Sequence, residues 1–114
     1  MGSGKTIIAI ASLLLVIEKH LQGAFMVPTE VLAEQHYKNL SKYLTPLLVS
    51  VELLTGNTPQ KKRREILSNL KNGLVDILVG THALFEDKVI FNALGMVVIA
   101  VSYTHLTLPT KRIV

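Results

Sequence analysis

Four short apolar runs, the first three separated by stretches of helical periodicity, constrain this chain more than any other feature. Residues 24–27 (Ala24-Phe25-Met26-Val27) are stopped by Pro28, which has no N–H to give a strand ladder. Residues 48–54 run into Thr55-Gly56-Asn57, residues 76–79 run into Gly80-Thr81-His82, and residues 96–99 form the fourth run. A helix is predicted over 4–20, with Ile7, Ile10, Ala11, Leu14 and Ile17 on its buried stripe and Gly23 closing the turn region after it. Thr29 can cap a second helix that runs to about residue 44 and buries Ala33, Tyr37, Leu40 and Leu44. Pro46 separates that helix from the second run. Thr58 and Pro59 read as the N-cap and first position of a third helix, which runs to about residue 72 with Gly73 after its end. Apolar strands joined by helices bury both faces of a sheet. The fold class is therefore α/β, a three-layer parallel sheet with helices on both faces. Ligands of such sheets sit beyond the carboxyl ends of the strands, where Thr29, Thr55, Gly80 and Thr81 all fall.

The first helix opens with Gly2-Ser3-Gly4-Lys5-Thr6, the second half of a phosphate-binding loop. Small residues let backbone N–H groups and the opening turn of a helix cradle a nucleoside triphosphate. In that reading Gly2, Ser3 and Gly4 line the cradle, Lys5 reaches the outer phosphates, and the Thr6 hydroxyl ligates Mg²⁺. Such a loop begins with a glycine a few residues upstream, after a buried strand. Only Met1 precedes it, so the chain is expected to start inside its own site.

Composition narrows the classes. With 49% hydrophobic residues in 114, the chain can build a core as one small domain or part of a larger one. It has no cysteine, which excludes disulfide-linked partners and thiolate metal sites and suits a reducing cytosol. No basic leader precedes the apolar run over 7–17, and that run is too short to span a bilayer. The formal charge is +4; leaving aside Lys111 and Arg112, 10 basic residues face 8 acidic ones, a surplus of +2. That permits a nucleic-acid partner without arguing for one.

The strand-end segments admit two readings each. Pro28-Thr29-Glu30 joins a strand to a helix; capping alone explains Thr29, and a hold on a nucleic-acid phosphate is the functional alternative. Thr55-Gly56 and Gly80-Thr81-His82 are either turns or donors to a backbone phosphate. Lys61-Lys62-Arg63-Arg64 is a solvated helix face first and a phosphate track second. His20, His36, His82 and His105 lack metal-ligand spacing.

Taken together, Gly2 to Thr6, residues 28–36 (Pro28-Thr29-Glu30-Val31-Leu32-Ala33-Glu34-Gln35-His36), Leu54-Thr55-Gly56, the basic stretch 61–67, residues 76–84 and residues 94–99 resemble the first motor domain of a superfamily 2 DNA helicase. Within the superfamily, Thr29-Glu30 after Pro28 and Thr81-His82-Ala83-Leu84 after Gly80 resemble the RecG branch; transcription-repair coupling factors share much of the pattern. The resemblance covers residues 2–99 and implies a RecA-like P-loop NTPase using ATP and Mg²⁺, acting on branched or forked DNA in the bacterial cytoplasm. It implies motif I at Gly2, Ser3, Gly4, Lys5 and Thr6, with Lys5 catalytic. It places DNA-backbone contacts at Pro28, Thr29, Glu30, Thr55, Gly56, Gly80, Thr81 and His82.

The resemblance breaks after Ile99. The family continues Asp-Glu-Gln-His, whose Asp holds Mg²⁺ and whose Glu positions the attacking water; this chain reads Ala100-Val101-Ser102-Tyr103. Residues 101–114 resemble the translation of a sequencing adapter read through at the end of an insert, and alanine and aspartate codons share a first base. The expected organisation is thus a partial helicase ATP-binding domain over 1–100 and a non-native tail over 101–114, with Met1 standing for an internal valine codon. Such a piece is expected not to hydrolyse ATP. If Ala100-Val101 are genuine, the alternative is a non-catalytic nucleotide-binding module.

Overall fold

The computed structural model describes residues 3–85 and 89–99, with the side chains of 3–7, 9, 83 and 85 left aside. Its strands are β1 (Gln22–Met26), β2 (Val51–Leu54), β3 (Ile77–Gly80) and β4 (Leu94–Ile99), and its α-helices are α1 (Ser3–Glu18), α2 (Glu30–Leu44) and α3 (Gln60–Lys71). The strands form one sheet in the order β2-β3-β1-β4, and every pairing is parallel. The β1→β2 connection crosses β3, and the β2→β3 connection returns in the opposite direction. Crossovers of one hand that travel in opposite directions must use opposite faces. Accordingly α2 helps bury Phe25, Ile77 and Val79 on one face, together with Leu13 of α1, while Ile66 and Leu70 of α3 bury Ala24, Leu54 and Leu78 on the other. Adjacent residues such as Ala24 and Phe25 point to opposite faces and are both buried, which is why these strands read as unbroken apolar runs.

Most expected elements are present, with local corrections. The buried centre of α1 is Leu13, while Ala11 is exposed. Ile10, Leu14 and Ile17 of the expected stripe pack half-buried against the same core as Leu13, so periodicity found the buried face but not its centre, on a helix that also exposes Ile8 and Leu15. Ile7 lies among the side chains left aside. Gly23 does not close the turn after α1; it pairs with Ile77 and Met96 inside β1. His20 takes the left-handed position instead, at φ 64°. Leu48 is also left-handed, at φ 64° after a 3₁₀ turn at Thr45–Leu47, so β2 starts at Val51 rather than at residue 48. The start of α3 is shifted by one residue. Pro59 is its N-cap and offers no side-chain bond, while the Thr58 hydroxyl accepts from the Thr55 N–H at 3.0 Å. Gly73, at φ 80°, follows the Asn72 C-cap as expected.

Candidate nucleotide and nucleic-acid interface

The strands end level. Met26 pairs with both Gly80 and Ile99, and Leu54 pairs with Gly80. Parallel register therefore delivers the segments after β1, β2 and β3 to a single edge. Those segments are Pro28-Thr29-Glu30, Thr55-Gly56 and Thr81-His82. The α1 helix packs on β1 and β4 and enters β1 through only residues 19–21, so it runs antiparallel to the strands. Its first residues, Ser3-Gly4-Lys5-Thr6, stand at the same edge. Gly2 lies outside the described residues, and so do the side chains of Lys5 and Thr6. The first turn of α1 carries no acidic residue, so its N–H groups and positive dipole end are not neutralised from within the helix. That suits a polyphosphate.

Thr29 caps α2: its hydroxyl accepts from the Leu32 N–H at 3.2 Å. A hydroxyl has one proton to donate as well, so the cap leaves it able to bond a phosphate oxygen. Pro28 and Thr29 are exposed, as are Gly56 and His82, and these four form the outer rim of the edge. Thr55, Gly80 and Thr81 are buried behind them. The Thr55 hydroxyl accepts from the Asn57 N–H at 3.2 Å, which holds the turn. Gly80 is where backbone meets backbone: a Cβ there would collide with the Leu54 carbonyl oxygen and lie 2.8 Å from Leu84 Cδ2. Glu30 faces the neighbouring loop, its carboxylate accepting from the Asn57 side-chain amide at 2.5 Å. This bond ties the segment after β1 to the segment after β2.

Two residues that shape this arrangement, Asn57 and Arg63, and one at the far end of β1, Gln22, have partners that the sequence does not signal. By sequence Asn57 is only part of a turn; in the structure its side-chain amide bonds Glu30. Arg63 donates to the Thr55 carbonyl at 3.3 Å and anchors α3 to the same loop. Gln22 is buried at the opposite end of β1. Its amide donates to the Leu70 and Val75 carbonyls at 3.0 and 2.7 Å, and its side-chain oxygen accepts from the Ala93 N–H at 2.9 Å. A lone polar residue before an apolar run carries no local signal of such partners. Elsewhere, His36 packs against Phe25 with ring centroids 4.8 Å apart, and burial pushes its imidazole below the ordinary value of 6.5. Among the described residues no cluster of acidic and histidine side chains could hold a metal, and no helix is long and apolar enough to cross a membrane.

Residues 1–100 match the DEAD/DEAH box helicases. The chain belongs to the DEAD/DEAH box helicase family. This helicase-family chain is 50% identical over 99 residues to the ATP-dependent DNA helicase RecG of Synechocystis sp., a match covering 87% of this chain and 12% of the relative. It is also 50% identical over 98 residues to RecG of Bacillus subtilis, covering 86% and 14%. The chain thus spans about one-seventh or less of the length of these relatives. The solved structure of RecG bound to a three-way DNA junction superposes with a TM-score of 0.83 at 40% identity, over 94% of this chain and 15% of that one. The Mycobacterium smegmatis helicase Lhr, solved with single-stranded DNA and AMP-PNP, gives 0.65 at 18% identity over 80% of this chain and 12% of that one, a likeness of fold alone. The resemblance to the RecG branch and the RecA-like parallel sheet expected from the sequence both hold.

Proposed function

We propose that this chain is part of the first motor domain of a RecG-type, ATP-dependent DNA helicase of the bacterial cytoplasm. The parent protein would couple ATP hydrolysis to unwinding and branch migration of forked DNA during fork rescue, recombination and repair. The observation that carries this reading is the level carboxyl edge, where the opening turn of α1 and the segments after β1, β2 and β3 converge. In this reading Gly2, Ser3 and Gly4 offer backbone N–H groups to the triphosphate of ATP. Lys5 neutralises phosphate charge as it develops, and the Thr6 hydroxyl holds Mg²⁺ together with phosphate oxygens. Bound ATP–Mg²⁺ supplies the phosphoryl group whose transfer to water drives the motor. Thr29 and His82 on the rim donate to DNA phosphates, and Pro28 and Gly56 allow the backbone to come close. Thr55, Gly80 and Thr81, expected from the sequence as further backbone contacts, are buried behind the rim and in this reading support its loops, while Glu30, expected likewise, bonds Asn57 and positions Gly56. Contacts of this kind follow the sugar–phosphate chain and do not read bases.

Residues 1–100 are the helicase part in this reading, and residues 101–114 are adapter-derived. Residues 100–114 lie outside the described residues. The test is the product of the complete gene on forked DNA. ATP-dependent unwinding lost in Lys5→Ala is the expected outcome, and unwinding retained by that variant sinks the proposal. The 114-residue chain alone is expected to release no phosphate, because residues 100–103 lack the acidic pair that holds metal and water. A specific observation favours a second reading, the Ala100-Val101 pair where helicases carry Asp-Glu. Resequencing across codon 100 decides between them: Asp-Glu-Gln-His supports the helicase, and Ala-Val-Ser-Tyr supports a non-catalytic nucleotide-binding module.

A further inference from the structure

We propose that Lys61, Lys62 and Arg64 on the first turn of α3 form a second DNA-phosphate track, continuing the rim built by Thr29, Gly56 and His82. The inference rests on the reading of this chain as a DNA-tracking motor segment. Its starting point is a charge pattern that works against the helix carrying it. The helix begins Gln60-Lys61-Lys62-Arg63-Arg64, with four successive cations and no acidic residue in its first turn. Cations at a helix N-terminus oppose the helix dipole. Lys61 and Arg64 are three residues apart, hence neighbours on one helix face, and they repel one another. Lys61, Lys62 and Arg64 are all exposed. Lys62 has only a surface contact with Glu65 at 3.8 Å, and Lys61 and Arg64 make no ion pair among the described residues.

Placement gives this charge a direction. Only residues 55–59 separate β2 from α3, so the first turn of α3 stands at the carboxyl edge of the sheet. Arg63 is the half-buried member of the four, and its bond to the Thr55 carbonyl at 3.3 Å fastens the turn beside Gly56. The three exposed cations therefore continue outward from the rim. On folding grounds alone their mutual repulsion and their clash with the dipole are both unfavourable. A sugar–phosphate backbone laid across them reverses the sign of both terms and gains from counterion release. Long flexible side chains carrying point charges suit a partner whose charge repeats along a line and whose sequence varies.

The test uses opposite signs in two readouts of the same variant. In the product of the complete gene, Lys61→Gln, Lys62→Gln and Arg64→Gln are combined, since glutamine keeps helix propensity while removing charge. Binding to a short labelled DNA duplex is followed by fluorescence anisotropy across a KCl series, and unfolding is followed in urea. The expected result is roughly tenfold or greater loss of affinity at low salt, with the slope of log K against log[KCl] shallower by about 3 and no dependence on duplex sequence. The urea midpoint is expected to stay level or rise, because a self-repelling turn has been relieved. The charge-preserving pair Lys61→Arg and Lys62→Arg is expected to bind like the unaltered chain. An unchanged salt slope in the neutralised variant, alongside clear binding by the unaltered chain, overturns this inference and leaves the helicase reading intact. A lower urea midpoint overturns it as well, because the charges would then be structural. Failure of the unaltered chain to bind any duplex overturns the DNA-contact reading together with this inference.

Discussion

Thr29 holds two duties in one hydroxyl, and they separate by substitution. Aspartate caps a helix as well as threonine does, yet it sets a negative charge against any phosphate. Thr29→Asp should keep the stability of the unaltered chain and lose DNA binding, whereas Thr29→Ala should lose about 1 kcal/mol of stability as the cap disappears. Urea midpoints and anisotropy read the two effects apart, and unchanged DNA binding in Thr29→Asp would remove Thr29 from the interface. His36 yields a pH dependence. Its folded pKa lies below 6.5 because burial disfavours the imidazolium. Between that depressed value and 6.5 the unfolded chain binds more protons than the folded one, so stability falls as pH drops below about 6.5 and levels off below the folded pKa. Replacing His36 by Phe should flatten this stretch of the stability–pH curve, and an unchanged curve would exclude His36 as its source. Gln22 should tolerate little. Gln22→Glu turns an amide that donates to two carbonyls into a carboxylate facing them, at a cost on the order of 3 kcal/mol in urea unfolding.

At the scale of elements, the interface depends on how closely β2 and β3 approach one another. Gly80 ends β3 against the Leu54 carbonyl, where there is no room for a side chain. Gly80→Ala should force the two strands apart at the edge that carries Thr55 and Thr81. A destabilisation of about 3 kcal/mol in urea unfolding is expected. Unchanged stability would mean that the strand ends yield without cost. The Glu30–Asn57 bond plays a comparable part between loops, linking the start of α2 to the turn after β2. Strand and helix types were readable because apolar runs and 3.6-residue periods are local. Element ends were less so. Leu48 looks like strand by composition, but its left-handed backbone puts it in a turn with 91% of its surface exposed.

At the scale of the whole molecule, the described residues leave one part of the sheet uncovered. An apolar groove of about 260 Å³ runs over β1 and β4, lined by Met26, Phe91, Leu94 and Val97 among others. Among the described residues β4 has no strand on its outer side, and Leu94, Val97 and Ile99 are each more than two-fifths exposed. Open apolar edges pair with other chains. The 114-residue chain is therefore expected to self-associate in light scattering, and Val97→Lys to reduce that association. A monomer at high concentration would count against it. The amino-acid sequence by itself determined the layers, the parallel sheet and where its loops fall, because hydrophobic period and glycine, proline and threonine punctuation act over a few residues. It also carried the likeness to RecG in residues 2–99. Only the tertiary structure decided which threonines reach the surface, that Glu30 bonds Asn57 across 27 residues, and that Gln22 joins Leu70, Val75 and Ala93. Burial and hydrogen-bond partners are properties of strands brought together from distant parts of the chain, and no local pattern encodes them.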